Sequence, residues 1–507
     1  MLKEQRRRAI QEIIGHEGRG LVRELAGRLH TSQVTIREDL DPIPSTAARR
    51  LGSLTPMKPE TLNASTRGAA GAHLREVLSR NRAQSVGGIC AVCSSHPAVI
   101  DAAIRQALES GLLLEIESTA NQVNQFGGYT GQTPSEFAAV VTERAARLGL
   151  PRERLLLGGD HLGPYPWRRE PATTAMGYGR HLVKDCVLAG YGKIHLDASA
   201  ACAGDGGAGL APEIIAQRNA ALCQTAEDAW SQLPAGAPAP LYVVGTEVPA
   251  PGGETAAGHP PPPTSPGDVQ ATLEAHRAAF SARGVQAAWE RVIGLVVQPG
   301  VEFGEDVVFD YDRRKSRLLS QALPPRPIVY EAHSTDYQLE RALREMVVDH
   351  FAILKVGPWL TYAFREAVFA LTGIEREWIG PKSGVRLSRV RETLEAAMLG
   401  DPQHWRPYHS GDEEALRFAR VYSLSDRCRY YWHQPSVQNE IALLLGNLTE
   451  RPAPLTLVSQ YMSAQHAALR AGRLAYQPAL LIDHHIRGVL RQYDAACSPR
   501  REGLRDE

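Results

Sequence analysis

The sequence predicts an α/β protein whose central part is a closed parallel barrel of eight β/α units, a TIM barrel. A small all-α helix-turn-helix precedes it and a helical extension follows. Three observations predict this. Short β-rich apolar runs alternate with amphipathic helical stretches over about 290 residues; ionisable side chains collect at the C-terminal ends of those runs; and only helical patterns occur outside that region. An open doubly wound sheet is the alternative, because alternation does not by itself show closure.

Residues 4–14 form one helical pattern, Leu21 to Leu29 a second, and Thr31 or Ser32 is a natural N-cap for a third that runs to Leu40. Two short helices joined by a turn are a helix-turn-helix, and the last would carry Gln33, Thr35 and Arg37 outward, residue types that reach phosphates and base edges. The pattern R-x-x-x-I, L-x-x-x-L and TSQVTIREDL resembles the N-terminal module of DeoR-type sugar-operon repressors, which implies DNA binding by residues 1–41. Such modules continue into a β-hairpin wing, whereas Pro42 and Pro44 open a Pro-rich linker over 42–71. Lys and Arg total 56 and so do Asp and Glu, so a surface built wholly for nucleic acid is excluded.

The barrel is expected over 72–375. Its strands are SVGGICAVC, LLLEIES (112–118), RLLLGGD (154–160), KIHLDAS (193–199), LYVVGTEV (241–248), VIGLVVQPG (292–300), IVYEAHS (328–334) and FAILKVG (351–357). Stretches such as PAVIDAAIRQALESG supply the helices between them. A parallel barrel carries its site at the C-terminal strand ends, which here hold Glu117, Asp160, His161, Asp197, Glu247, Gln298, Glu302, Glu331, His333 and Asp336. An apolar strand has no structural need to end in a carboxylate or imidazole, and burying one unpaired is costly, so a catalytic or binding site is expected there. In the loop after strand two, Asn121, Asn124 and Gln125 are expected to bond sugar hydroxyls, with Gly127 and Gly128 allowing close approach.

Residues 376–507 read as helical. In SLSDRCRYYW, the hydroxyls of Ser423 and Ser425 and the guanidinia of Arg427 and Arg429 could receive a phosphate or form ordinary surface ion pairs. Lys355 on strand eight could neutralise a phosphate or an enediolate. Cys90 and Cys93 have C-x-x-C spacing inside a strand and read as packing; His259 sits in a stiff Pro-rich loop, and His484 and His485 read as structural. Seven scattered cysteines form no disulfide framework, and neither a signal peptide nor an apolar run long enough to span a membrane is seen, so a cytoplasmic protein is expected.

The phrases NQVNQFGGYTG, LGGDHLGP, KIHLDAS, GTEVPAPGGE, VVQPGVEF, YEAHSTDYQ, ILKVGPWLTYAFREA and YSLSDRCRYYW resemble the Z-subunit family of class II D-tagatose-1,6-bisphosphate aldolase, over about residues 72–496. The resemblance implies either of two roles. One is an accessory subunit that stabilises a catalytic Y-type subunit; the other is a 4-epimerase of ketohexoses or their 6-phosphates. It implies a divalent metal, zinc foremost, with manganese, cobalt or nickel as alternatives. It places the metal on His161, Glu302 and His333, with Glu247 or Glu331 as alternative carboxylate ligands, and gives Asp160, Glu247 and Asp197 catalytic roles. Glu117, Asn121, Asn124, Gln125, Gln298, Asp336, Lys355, Ser425 and Arg427 are then the candidate substrate contacts. The expected partners are a ketohexose or its phosphate, a second copy of the chain and a Y-type subunit; DNA is a lesser expectation, through the N-terminal segment.

The C4 proton of a 2-ketose is β to the carbonyl and not acidic, so direct deprotonation there is unattractive. Retro-aldol cleavage of C3–C4 avoids it. A base takes the O4 proton, the bond electrons pass into a C2/C3 enediolate, the aldehyde turns over, and re-addition inverts C4.

Overall fold

Eight parallel strands close on themselves. They are β1 (Ile89–Cys93), β2 (Leu114–Thr119), β3 (Leu155–Leu162), β4 (Lys193–Leu196), β5 (Leu241–Val244), β6 (Val292–Val297), β9 (Val329–Ala332) and β10 (Phe351–Val356), in the order β1-β10-β9-β6-β5-β4-β3-β2. The computed structural model describes residues 64–206, 209–245, 259–324, 326–382 and 384–498; the helix-turn-helix with Gln33, Thr35 and Arg37, and Glu247, lie outside them. The seam joins first strand to last, with Ile89 opposite Ile353 and Val92 opposite Val356, so the closed barrel holds and the open sheet does not. β7 (Glu302–Phe303) and β8 (Val308–Phe309) form a small antiparallel pair in the loop after β6.

Helices α1 (Ala64–Gln84), α2 (Pro97–Ser110), α3 (Pro134–Leu148), α4 (Ala172–Leu188), α5 (Pro212–Trp230), α6 (Pro266–Ala282), α7 (Gln286–Trp289), α8 (Arg317–Gln321), α9 (Glu340–Val348) and α10 (Pro358–Ile379) precede or alternate with the strands. Their boundaries follow local chemistry. Thr133 and Glu136 make a reciprocal capping box at the start of α3, and Gly149 ends that helix at φ 86°, a conformation a β-carbon disfavours. Helix α1 takes in residues 64–71, expected as linker, because Leu74 and Leu78 bury themselves with Ile89, Leu156, Leu241 and Ile353 under the N-terminal mouth of the barrel.

The extension comprises α11 (Val390–Gly400), α12 (Glu413–Tyr422), α13 (Pro435–Glu450), α14 (Leu455–Tyr461), α15 (Ser463–Arg470) and α16 (Pro478–Cys497). The expected boundary at 375/376 falls inside α10, whose buried face continues to Ile379. Helix α16 packs on α2, α9 and α10, and the Gly88 N–H donates to Cys497 O (3.0 Å), so the extension covers the β1–β10 seam. Among the described residues no helix is long and apolar enough to cross a membrane.

Above the apolar floor the lumen becomes ionic. Side chains two apart on a strand share a face, so Glu115 and Glu117, Lys193 and His195, and Glu331 and His333 all point inward. Lys193 Nζ lies 3.0, 2.9 and 2.8 Å from carboxylate oxygens of Glu115, Glu117 and Glu331, all fully buried. Gly158 makes room for them, since a β-carbon there would stand 2.7 Å from the Glu117 side chain.

Outside the barrel, His276 is buried between α5 and α6. Its Nδ1 donates to Thr272 O (2.8 Å) and its Nε2 accepts from Asn219 Nδ2 (3.0 Å), which suits only the neutral ring. Burial lowers its pKa to about 4. The unfolded chain therefore binds a proton near pH 6.5 that the folded chain refuses until about pH 4. This contribution to stability is complete above pH 6.5 and is lost as pH falls through that window. Denaturant melts should show stability falling between pH 6.5 and 4, and His276→Gln should flatten part of that fall; an unchanged pH profile in the variant would remove His276 from the account.

Candidate active site and metal centre

Strand β3 brings two adjacent residues to one place. Asp160 and His161 would point to opposite faces of a regular strand, but the pairing with β4 shifts register between Gly159 and Leu162, and His161 takes φ 47°. Both side chains then meet His195 of β4 and His333 after β9. Nitrogen or oxygen atoms of Asp160, His161, His195 and His333 lie within 4.8 Å of one another.

Each imidazole is held through one nitrogen by a carboxylate. His161 Nδ1 lies 2.6 Å from Asp197 Oδ2, His195 Nδ1 lies 3.0 Å from Asp160 Oδ1, and His333 Nε2 lies 3.0 Å from Glu331 Oε1. The His161 backbone N also sits 3.2 Å from His195 Nδ1, but an ionised Asp160 requires the proton on that nitrogen. The opposite ring nitrogens, His161 Nε2, His195 Nε2 and His333 Nδ1, are the ones left to bind a cation, that of His161 once its second proton is displaced, the arrangement in which an outer carboxylate orients a metal-binding histidine.

Electrostatics fit the same reading. Burial alone would raise Asp160, but His161 and Lys355 outweigh it and hold its carboxyl well below the usual range. For Asp197, burial is likewise outweighed by the bond and charge of His161. Burial lowers His333 to about 4 despite Glu331, so this ring is neutral. Burial would lower His161 too, yet Asp160 and Asp197 raise it to about 9. Glu115 is pushed up to about 8 by burial, beyond what Lys193 restores, and stays protonated at neutral pH. Among the described residues, the four ionised carboxylates Glu117, Glu331, Asp160 and Asp197 therefore face the ammonium groups of Lys193 and Lys355 and the protonated His161 ring. Three converging imidazoles with a surplus of negative charge are a donor set that fits a divalent cation of the zinc class.

The cluster opens into a cavity of about 900 Å³ whose wall includes Cys93, Asn121, Gln122, Asp336 and Lys355. Lys355 Nζ contacts Asp160 Oδ1 and lies 2.5 Å from Glu117 Oε2 and 3.5 Å from Glu331 Oε1. Asp336 Oδ1 accepts the N–H groups of Gly357 (3.0 Å) and Trp359 (2.8 Å) at the start of α10, and burial raises its pKa to about 6.

Several expected residues are placed elsewhere. Glu302 does not join the imidazoles: its Oε1 accepts the Phe303 N–H (2.9 Å) and its Oε2 the Ser334 hydroxyl (3.1 Å). His195 takes the third position instead. Asp197 orients His161 and also accepts from the Ser199 hydroxyl (2.5 Å), and Glu331 orients His333, so neither is a ligand atom pointing at the cluster centre. Gln298 caps the Gly300 and Val301 amides (2.7 and 3.0 Å), and Asn124 caps Phe126 and Gly128 (2.9 and 3.1 Å). Gln125 donates to Tyr178 O (3.1 Å), Ser425 bonds Ser423 (2.9 Å), and Glu117 lies beneath Lys355. Glu302, Gln298, Asn124, Gln125, Ser425 and Glu117 do not line the cavity, whereas Asp197 does. Asn121, Asp336, Lys355 and Arg427 do reach it. Cys93, expected as packing, lines the cavity and points its thiol at Glu117 Oε2 (3.3 Å). His195 was legible in K-I-H-L-D, because residues 193, 195 and 197 share a face of the strand. Gln122, on the wall with its amide bonded to Cys93 O (3.3 Å) and Thr119 N (3.0 Å), carried no comparable signal.

A closed eight-fold barrel with an imidazole–carboxylate cluster at the C-terminal ends of its strands has the layout of a barrel enzyme, whose site lies at that face. Residues 74–498 match the family described as D-tagatose-1,6-bisphosphate aldolase subunit GatZ/KbaZ-like, and the chain belongs to that family. The crystal structure of a probable tagatose 6 phosphate kinase from Sinorhizobium meliloti 1021 is 42% identical, covers 81% of this chain and 100% of its own, and superposes with a TM-score of 0.73. A fructose-bisphosphate aldolase from Campylobacter jejuni is a remote likeness, 14% identical over 75% of this chain and 92% of its own, with a TM-score of 0.40.

Proposed function

We propose that this chain is a metal-dependent ketohexose 4-epimerase that interconverts tagatose and fructose, as their 6-phosphates, by retro-aldol and aldol steps. The observation that carries the reading is the set of three imidazoles, each held by a carboxylate through one nitrogen, at the wall of a cavity shared with Asp160 and Lys355. The names of the family and of the Sinorhizobium meliloti protein both refer to a phosphorylated tagatose, which supports the substrate class.

His161, His195 and His333 would hold the cation, which when bound supplies a Lewis acid for negative charge on substrate oxygens. The remaining roles belong to the chain's own side chains. Asp160 is ionised at neutral pH and takes the O4 proton, Glu247 being the other candidate named by the sequence. As C3–C4 breaks, its electron pair enters the C2/C3 enediolate, and the Lys355 ammonium, fixed by Glu117, stands by to offset that charge. The cavity keeps both fragments, the aldehyde turns its other face, and Asp160 returns its proton to O4 after the bond re-forms. Asp160→Asn should cut C4 epimerisation by about 10²–10⁴-fold when assayed at saturating metal, since the same carboxylate also orients His195. Full activity in that variant would end the proposed role.

The family description favours a second reading, a subunit that supports a separate Y-type aldolase. Purified chain alone, assayed for bound metal and for conversion of tagatose 6-phosphate by NMR with and without chelator, separates the two. Chelator-sensitive C4 exchange supports the epimerase; a metal-free, inert chain that raises the activity of an added Y-type subunit supports the partner role.

A further inference from the structure

The cavity extends past the imidazoles onto the C-terminal extension, where its wall is Tyr408, Arg427, Arg429, Tyr430 and His433. The loop that carries them is fixed to the barrel: Tyr337 Oη donates to Leu424 O (2.6 Å), the Leu424 N–H donates to Glu305 O (2.8 Å), and the Thr361 hydroxyl bonds Asp426. Arg427 is 3% exposed, with its guanidinium 3.5 Å over the Tyr408 ring. Arg429 donates to Ser425 O, to Asp426 O (3.0 Å) and to Tyr430 Oη (3.1 Å). Lys355, the other cation on the wall, is matched by three carboxylates. Arg429 has no carboxylate oxygen within 4.0 Å among the described residues. Arg429 is half-buried at the wall, within reach of a ligand, and a guanidinium fork matches phosphate oxygens.

We propose that Arg427 and Arg429, with the Tyr430 hydroxyl, form an anion subsite for the phosphate of a phosphorylated ketose whose carbonyl end sits at the imidazole cluster. This rests on the epimerase reading for its substrate, but not for its test. Calorimetric binding to the full metal-loaded chain is measured for tagatose 6-phosphate, tagatose and inorganic phosphate. Wild type should bind tagatose 6-phosphate far more tightly than tagatose, and inorganic phosphate should compete with it. Arg429→Met should weaken both phosphate ligands about 10- to 100-fold and leave tagatose within about twofold, and Arg429→Lys should restore part of the loss. Equal weakening of tagatose and tagatose 6-phosphate by Arg429→Met would overturn the subsite, as would phosphate that binds without competing. If the variant fails to fold, equal wild-type affinity for the two sugars overturns it. Arginine-dependent binding without C4 exchange would instead sink the epimerase reading and leave the subsite standing.

Discussion

Lys193→Met should destabilise the barrel by about 3–5 kcal/mol, the largest stability effect expected of any single substitution here. Lys193 is fully buried and lies within 3.0 Å of Glu115, Glu117 and Glu331, each fully buried as well. With it gone, Lys355 alone must serve Glu117, Glu331 and Asp160. Attraction between buried ions only repays their desolvation, so removing one partner leaves the others' cost exposed. Glu115 already stays protonated at neutral pH, its pKa raised to about 8 by burial, so it is the member that can be neutralised with least disturbance. Glu115→Gln should therefore be mild alone, and combined with Lys193→Met it should not restore stability, because Glu117 and Glu331 are then left to share the Lys355 ammonium. The midpoint of urea unfolding, compared at constant slope, measures this. A loss below about 1 kcal/mol in Lys193→Met would show that the layer is hydrated or already neutral.

That ionic layer also explains which parts of the molecule were readable from sequence. The strands were, because each is a short apolar run between helices, and closure follows when the first and last pair at Ile89 and Ile353. Helix α1 was not: its first residues, A-S-T-R-G-A-A-G, carry no apolar stripe, and only Leu74 and Leu78 tie it to the floor of the barrel. Carboxylates and imidazoles at strand ends mark the site in general, but their residue types do not say which are consumed. Gln298 and Asn124 look like ligand contacts and are satisfied by amides of their own loops, while Glu302 is taken by the Phe303 amide and the Ser334 hydroxyl, a distinction that depends on backbone placement. His161 is the converse. Alternation would turn it away from Asp160, and only the register shift with φ 47° brings the two together. His195 was available from alternation alone, since it lies two residues from both Lys193 and Asp197.

The ligand assignment yields the largest expected effect on activity. His195→Ala should abolish stoichiometric binding of zinc, manganese or cobalt and lower epimerisation by about 10³-fold or more, the several kcal/mol attributed to a bound Lewis acid. Treatment of wild type with a chelator should do the same, and the added cation should reverse it. Glu302→Gln should leave metal content unchanged, because that carboxylate is already engaged by the Phe303 amide and the Ser334 hydroxyl. The pair of variants separates the imidazole set of His161, His195 and His333 from the sequence-derived set of His161, Glu302 and His333. Asp197→Asn supplies an intermediate case: it keeps shape at His161 but weakens the acceptor that orients it, and metal affinity should fall about 10- to 100-fold. Metal analysis after gel filtration, with activity on the same fractions, reads all three. Metal lost in Glu302→Gln and kept in His195→Ala would falsify the arrangement, and would mean that the cation draws Glu302 out of its loop on binding.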